Sequence, residues 1–410
     1  MRDTLSGIRP QTAASYALSQ LGGHIGFVPL FALLLPRRIE MISPLAPGVL
    51  LSWVLLAGGI TASLAHIWAG GLSDWLFRAR GSRRALILAG LVLTVASYGL
   101  LSVAHTRTTL IAGIVIFQLS FNVMFAPLGA LLTDYFPNAA KGRMASLVNA
   151  ALPLANLATS TVAAVFLVDA PAAFGVVAAL VVLCVAPLLI GWPFDTNITH
   201  KVKSLTSSEP PAPNGVQRGD FARAWIARLL VQFGAAFMMN YFFLFLAQRF
   251  ADTRAHVIAN ATEQVGQLAM VSIVAAILTT LLAGYWSDVY RRRVPMSLAA
   301  TCGACALVMI GLSDSWIMIV IGYVGFQSGL TAFLTIDTAL VAQLLARHPR
   351  RGKLLGYMNL TNTLPMIIVP IITLATIQIS TTMPWKMCFI FAAISTLGAA
   401  ILVLRIRSVA

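Results

Sequence analysis

The sequence predicts an all-α integral membrane protein: twelve transmembrane helices in two pseudo-symmetric six-helix bundles, both termini cytoplasmic. Three observations predict it. Twelve apolar runs approach or exceed the roughly 20 residues that a helix needs to cross a hydrocarbon core. One polar, proline-rich stretch divides them six and six. Short motifs recur about 210 residues apart, which marks a duplicated plan.

Composition agrees. Of 410 residues, 59% are hydrophobic and only 10% charged, and the mean hydropathy is +0.85. A soluble chain of this size carries more charge. The net charge of +15 raises the question of nucleic acid. The basic residues lie in short clusters between apolar runs, so no nucleic-acid partner is expected and the bilayer is. Cys184, Cys302, Cys305 and Cys388 all lie within apolar runs. Cys302-x-x-Cys305 has the spacing of a redox or zinc pair, but nothing nearby completes a metal site; all four read as packing residues.

The first run, 12–35, follows a short N-terminus and is too long for a signal peptide. The next five lie at 49–70, 84–104, 108–133, 144–168 and 171–193, completing an N-terminal bundle over 1–193. The stretch 194–220, "FDTNITHKVKSLTSSEPPAPNGVQRGD", has the composition of a flexible linker. Six more runs follow at 221–248, 262–285, 294–313, 315–345, 353–379 and 384–406, giving a C-terminal bundle over 221–410. With both ends inside, 21 of the 28 Lys and Arg fall in cytoplasmic segments and six outside, and Arg228 falls within a span. That asymmetry sets the orientation.

The repeat is visible in residues. Gly70-x-x-x-Asp74 in "GGLSDWLFRARGSRR" returns as Gly284-x-x-x-Asp288 in "AGYWSDVYRRR", each at the cytoplasmic end of the second helix of its half. Gln118 returns as Gln327, and "KGRMASLVN" (141–149) as "RGKLLGYMN" (351–359). Such duplicated bundles are a layout of secondary transporters.

With these motifs the chain resembles the major facilitator superfamily, whose signature between helices two and three reads roughly G-x-x-x-D-R-x-G-R-R. Gly284, Asp288, Arg292 and Arg293 fit its short form, with Val289 and Arg291 departing from it. Gly70, Asp74, Arg78, Gly81, Arg83 and Arg84 fit a longer variant, similar to that of the sucrose and glycoside cation-symporter branches. The fifth span, "MASLVNAALPLANLATS", lacks the G-x-x-x-G-P of the family's drug antiporters, and the classical sugar-porter signatures are missing too. The resemblance implies that helices one, four, seven and ten line a central cavity.

Polar residues within spans are functional candidates. On the helices that the resemblance selects, these are His24, Gln118 and Asn122 (one turn apart), Arg228, Gln232, Asn240, Gln327 and Asp337. Arg228 and Asp337 are the full charges placed clearly within spans, at matching depths, and a pair costs far less than either alone. They read either as a salt bridge coupled to transport or as a static ion pair. His24 reads as a proton carrier or as a neutral histidine bonded to a neighbouring carbonyl. His66, in the second span, is a weaker proton candidate. The amides read as solute contacts or interhelical packing bonds. Pro29, Pro127, Pro153, Pro365 and Pro370 lie within spans and are expected to bend them.

Asp74 with its arginines, and Asp288 with Arg292, are expected to latch helix ends on the cytoplasmic side, with Asp134 a partner for Arg78 or a neighbour. The function expected is secondary active transport of a small polar solute, a sugar or glycoside foremost, by rocking of two bundles about a central site. No Walker motif appears, so the drive is an ion gradient, protons before sodium, with no cofactor or metal. A monomer in a bacterial inner membrane is expected. The alternatives are an efflux antiporter for metabolites or drugs, and a non-transporting protein of the same fold; an enzyme is not expected.

Overall fold

In a computed structural model of the chain, the described residues are 10–136, 144, 148, 151–166, 170–192, 218–250, 257–289, 292–344, 351–379 and 384–406. Most of the predicted linker and of "KGRMASLVN" lies outside them, as do a few side chains within the helices, that of Asp288 after the helical Gly284 included. The chain divides into two compact units, Met1–Glu209 and Pro210–Ala410.

The first unit contains α1 (Pro10–Ile25), a π-helical turn (Leu30–Leu34) and α2 (Leu35–Ile42), which together form the first span. Then come α3 (Pro47–Arg80), α4 (Arg84–Ser102), α5 (Arg107–Tyr135), α6 (Ala151–Val165) and α7 (Ala170–Gly191). The second unit contains α8 (Arg218–Arg249), α9 (Val257–Val289), α10 (Arg293–Leu312), α11 (Trp316–Leu344), α12 (Arg351–Ile379) and α13 (Trp385–Leu404). Eleven spans among the described residues are long and apolar enough to cross a membrane, and the fifth is represented by the shorter apolar α6. The protein is a multi-pass integral membrane protein. Trp53, Leu64, Ile67, Trp68, Leu183 and Ile190 stand exposed on its helices, where lipid rather than water is the natural solvent.

Pro29 explains the break in the first span. It has no N–H and its ring crowds the carbonyl four residues back. The α-helix loosens at Gly26–Phe27 and resumes through the π turn. The Tyr98 hydroxyl donates to the Gly26 carbonyl at 2.6 Å, so the loosened backbone keeps a partner. Arg37 and Arg38, assigned by sequence to an outer loop, belong to α2 and are buried. Nη1 of Arg37 donates to the Phe166 carbonyl at 2.5 Å, and Arg38 lies over the Phe174 ring.

The two units share one packing scheme. In each, the fourth span packs on the second and third, the sixth on the first and third, and the fifth on the first. Close contacts correspond at a constant offset of 209 residues. A Cβ on Gly113 would lie 2.8 Å from Leu101 Cδ2, and one on Gly322 would lie 2.6 Å from Ile310 Cγ1. Where Gly90 of α4 meets the Met124 backbone, the second unit sets Gly329 of α11 against the Ala299 carbonyl. The same crossing is kept tight from opposite sides. Membrane helices lack a hydrophobic force between them, and small residues let their backbones approach.

Candidate functional site

α3 continues ten residues past its predicted end and stops at Gly81, whose φ of 68° is left-handed. A glycine adopts that conformation without the clash a Cβ brings. The turn sends Arg83 back against the helix ends, where it is 4% exposed. Its Nη2 lies 2.8 Å from Asp74 Oδ1 and its Nε 2.8 Å from Asp134 Oδ2. Nη1 donates to the Ser73 hydroxyl, and the guanidinium lies over the Phe77 ring at 4.8 Å. One side chain thus ties the ends of α3, α4 and α5. The neighbour, Arg83, takes Asp134; Arg78 donates instead to the Asp74 carbonyl of its own helix, at 3.3 Å. Arg84 opens α4 and is exposed.

Arg83 immediately precedes α4 and Arg292 immediately precedes α10, 209 residues apart. Arg292 Nη1 donates to the Ala339 carbonyl near the end of α11 at 2.8 Å, the counterpart of the reach from Arg83 to α5. Arg293 donates to the Ile406 carbonyl at 3.4 Å. Between the aspartate and this arginine the first copy has five more residues than the second. That insertion reconciles the 214-residue offset of the aspartates with the 209 of the arginines. The side chain of Asp288 is not among those described.

Within the first unit, the amide of Asn122 on α5 is oriented by its neighbours. Nδ2 donates to the Gln118 carbonyl at 2.8 Å, which leaves Oδ1 to accept from His66 Nδ1 of α3 at 3.1 Å. Gln118 is buried, and its Oε1 has no partner among the described residues. His24 of α1 donates from Nδ1 to the Gln20 carbonyl at 2.9 Å, because a carbonyl only accepts. Its ring meets Phe125 edge-on, and Phe125 stacks on Phe121 and Phe121 on Phe117. His24 thus packs on the aromatic face of α5 formed by Phe117, Phe121 and Phe125.

Within the second unit, Arg228 of α8 and Asp337 of α11 meet at 2.8 Å, Nη1 to Oδ2. Asp337 is fully buried and Arg228 is 20% exposed. Asn362 of α12 completes the group: its Oδ1 accepts from Gln232 Nε2 at 2.6 Å and from Arg228 Nη2 at 3.4 Å. The sequence reading omitted Asn362. Its signal was the amide in "MNLTNTLP", inside an apolar run. Asp337 Oδ1 has no partner among the described residues. Asn240 stands apart, three turns along α8, with Nδ2 on the Ala236 carbonyl and near Met366 Sδ. Gln327, ten residues from Asp337 and so about 15 Å along the helix, bonds the Tyr323 hydroxyl at 3.3 Å. Although Gln118 and Gln327 correspond in the repeat, their surroundings differ.

The profile of the Major Facilitator Superfamily matches residues 11–261 and 255–410. The chain belongs to that superfamily. Solved structures similar to this superfamily member include a D-xylose–proton symporter, 14% identical over 97% of both chains, with a TM-score of 0.72. The nucleoside transporter NupG, in a mutant form, is 12% identical over 96% of this chain and 99% of its own, with a TM-score of 0.67. A bacterial homolog of the human lysosomal transporter Spinster, inward-facing and occupied, is 15% identical over 97% and 96%, with a TM-score of 0.62. At these identities the likeness is one of fold. No curated protein matches the chain.

Proposed function

We propose that this superfamily member is a secondary active transporter that moves a small polar solute by alternating access, driven by protons, in a bacterial inner membrane. The observation that carries the proposal is the Arg228–Asp337 pair: a fully buried carboxylate with one oxygen engaged and the other without a partner among the described residues. Buried ion pairs are poor stabilisers, because desolvation offsets their attraction. Intramembrane charges mark proton and solute pathways. The superfamily and the fold shared with a proton-linked symporter support the reading.

The chemistry follows from the contacts. A proton taken up at Oδ1 of Asp337 cancels the carboxylate charge. Arg228 then loses an attraction of a few kcal/mol. Its guanidinium is freed toward Asn362 Oδ1, already 3.4 Å from Nη2, or toward an oxygen of the solute. When the proton leaves on the other side, the carboxylate recaptures the guanidinium. Proton and solute thus compete for, or share, one cation. Gln232 and Asn362 supply amide donors and acceptors suited to hydroxyls, and Gln118 Oε1 and Asn240 Oδ1 are buried acceptors with no partner among the described residues. A sugar, glycoside or nucleoside offers matching donors. The Arg83 knot ties the ends of α3, α4 and α5 of the first unit, and we assign it to gating on the cytoplasmic side.

The test is a thermal-stabilisation screen of purified protein with pentoses, hexoses, glycosides and nucleosides, then proteoliposome uptake of each hit with and without an inward proton gradient. Gradient-dependent accumulation is expected. Stabilisation by no polar solute, or accumulation indifferent to the gradient, contradicts the proposal.

A further inference from the structure

In the second unit a crevice of about 130 Å³ opens between α12 and α13. Phe233 and Phe237 of α8 floor it, Ile372 and Thr376 line one wall, and Met387 and Phe391 form the other. Pro370 helps to explain it: the ring removes a hydrogen bond from α12 and bends helices. Both α12 and α13 lean on α8 rather than on one another.

The lining is almost wholly apolar, and its hydroxyl donors are engaged. The Thr373 hydroxyl donates to the Val369 carbonyl at 2.9 Å, and that of Thr376 donates to its own helix at Ile372 and Thr373. Water needs several polar partners to enter such a space. Met387 and Phe391 are exposed at the rim, so the crevice opens to the surroundings of the helices, which for this protein are acyl chains. Packed interiors leave few voids of this size. From Val369 to Thr376 the lined wall runs about 10 Å, the shape of a narrow slot along the helix.

The end of the slot has a different chemistry. Trp385 and Lys386 open α13 next to Met387, and Trp385 Nε1 donates to Gln248 at 2.9 Å. Tryptophan at a helix end marks the headgroup level, and Lys386 is exposed there. An exposed cation one residue before the slot-lining Met387, at headgroup level, complements one kind of molecule.

We propose that this crevice holds one acyl chain of an anionic phospholipid whose phosphate sits at Lys386. The lipid fills the gap between α12 and α13 and is retained as part of the second unit.

Native mass spectrometry of the full-length protein in detergent tests it, with added phosphatidylglycerol or phosphatidylcholine of identical chains. The wild type is expected to keep one phosphatidylglycerol under activation that strips phosphatidylcholine, with at least a fivefold difference in retained fraction. Lys386→Gln should keep one lipid of either kind and lose the preference. Thr376→Phe, which plugs the mouth, should keep neither. Undiminished retention in Thr376→Phe, or an undiminished preference in Lys386→Gln, overturns the proposal. A second measurement does not depend on the plugged variant folding. Cys388 also lines the crevice, and in a chain lacking Cys184, Cys302 and Cys305 its alkylation by N-ethylmaleimide should slow severalfold in phosphatidylglycerol. An unchanged rate overturns the proposal equally.

Discussion

Asp337 on α11 takes its hydrogen bond from Nη1 of Arg228 on α8 at 2.8 Å, and its other oxygen has no partner among the described residues. Removing one member of a buried pair strands the other charge, at a cost of about 3–5 kcal/mol. Arg228 is partly exposed, which places the cost at the lower end. Asp337→Ala should therefore lower stability by about 3 kcal/mol, while Asp337→Asn, whose amide oxygen still accepts from Arg228, should lose about half of that. Arg228→Gln combined with Asp337→Asn should recover part of the loss. Unfolding of wild type, Asp337→Asn, Arg228→Gln and the double variant in detergent completes the cycle, and additive losses would sever the pair energetically.

Around Arg83 the two aspartates differ in exposure, 64% for Asp74 and 22% for Asp134. An exposed pair contributes about 0–1 kcal/mol; a more sheltered, charge-assisted bond contributes about 1.5–3 kcal/mol. Asp134→Ala should thus destabilise more than Asp74→Ala. Arg83→Lys should fail to rescue Arg83→Ala, because an ammonium cannot hold three partners in a planar fork. Thermal midpoints order the variants, and a larger loss for Asp74→Ala would contradict the geometry.

Gly81 ends α3 with a φ of 68°. An alanine there takes up left-handed strain of about 1–2 kcal/mol. Gly81→Ala should lower the thermal midpoint, and Gly81→Asn should lower it less, since asparagine tolerates that conformation. Equal midpoints for glycine and alanine would show that the turn is free to rearrange.

A Cβ on Gly90 would lie 2.3 Å from the Met124 amide nitrogen, and one on Gly329 would lie 2.7 Å from the Ala299 carbonyl, whereas one on Gly99 meets nothing within 4 Å. Backbone cannot give way as a side chain does. Gly90→Ala and Gly329→Ala should each cost about 1–3 kcal/mol by overpacking, and Gly99→Ala should be neutral or stabilising by up to about 1 kcal/mol. Thermal unfolding of the three variants checks the contrast.

The spans were legible because a membrane helix writes its length and apolarity directly into sequence. The repeat was legible because motif spacing survives duplication. Arg228 and Asp337 stood out because a full charge inside an apolar run has few inexpensive places to go. Asn362 was overlooked, since a neutral amide among threonines near a helix start is unexceptional until a neighbouring helix brings Gln232 against it. Arg83 could not be separated from Arg78, Arg80 and Arg84 by composition; the left-handed turn at Gly81 chooses it. The bond from His66 to Asn122 spans 56 residues and belongs to packing, which one sequence without relatives does not disclose.

Proton coupling, as proposed, rests on Asp337 as the carrier of the proton. The most direct measurement compares wild type and Asp337→Asn in proteoliposomes, with a solute identified by thermal stabilisation, in two modes. One is exchange of labelled for unlabelled solute at equal pH; the other is accumulation driven by an inward proton gradient. The variant should keep exchange and lose accumulation, since the solute site survives while the proton's acceptor is gone. Accumulation by Asp337→Asn at the wild-type level and with the wild-type pH dependence would contradict the claim.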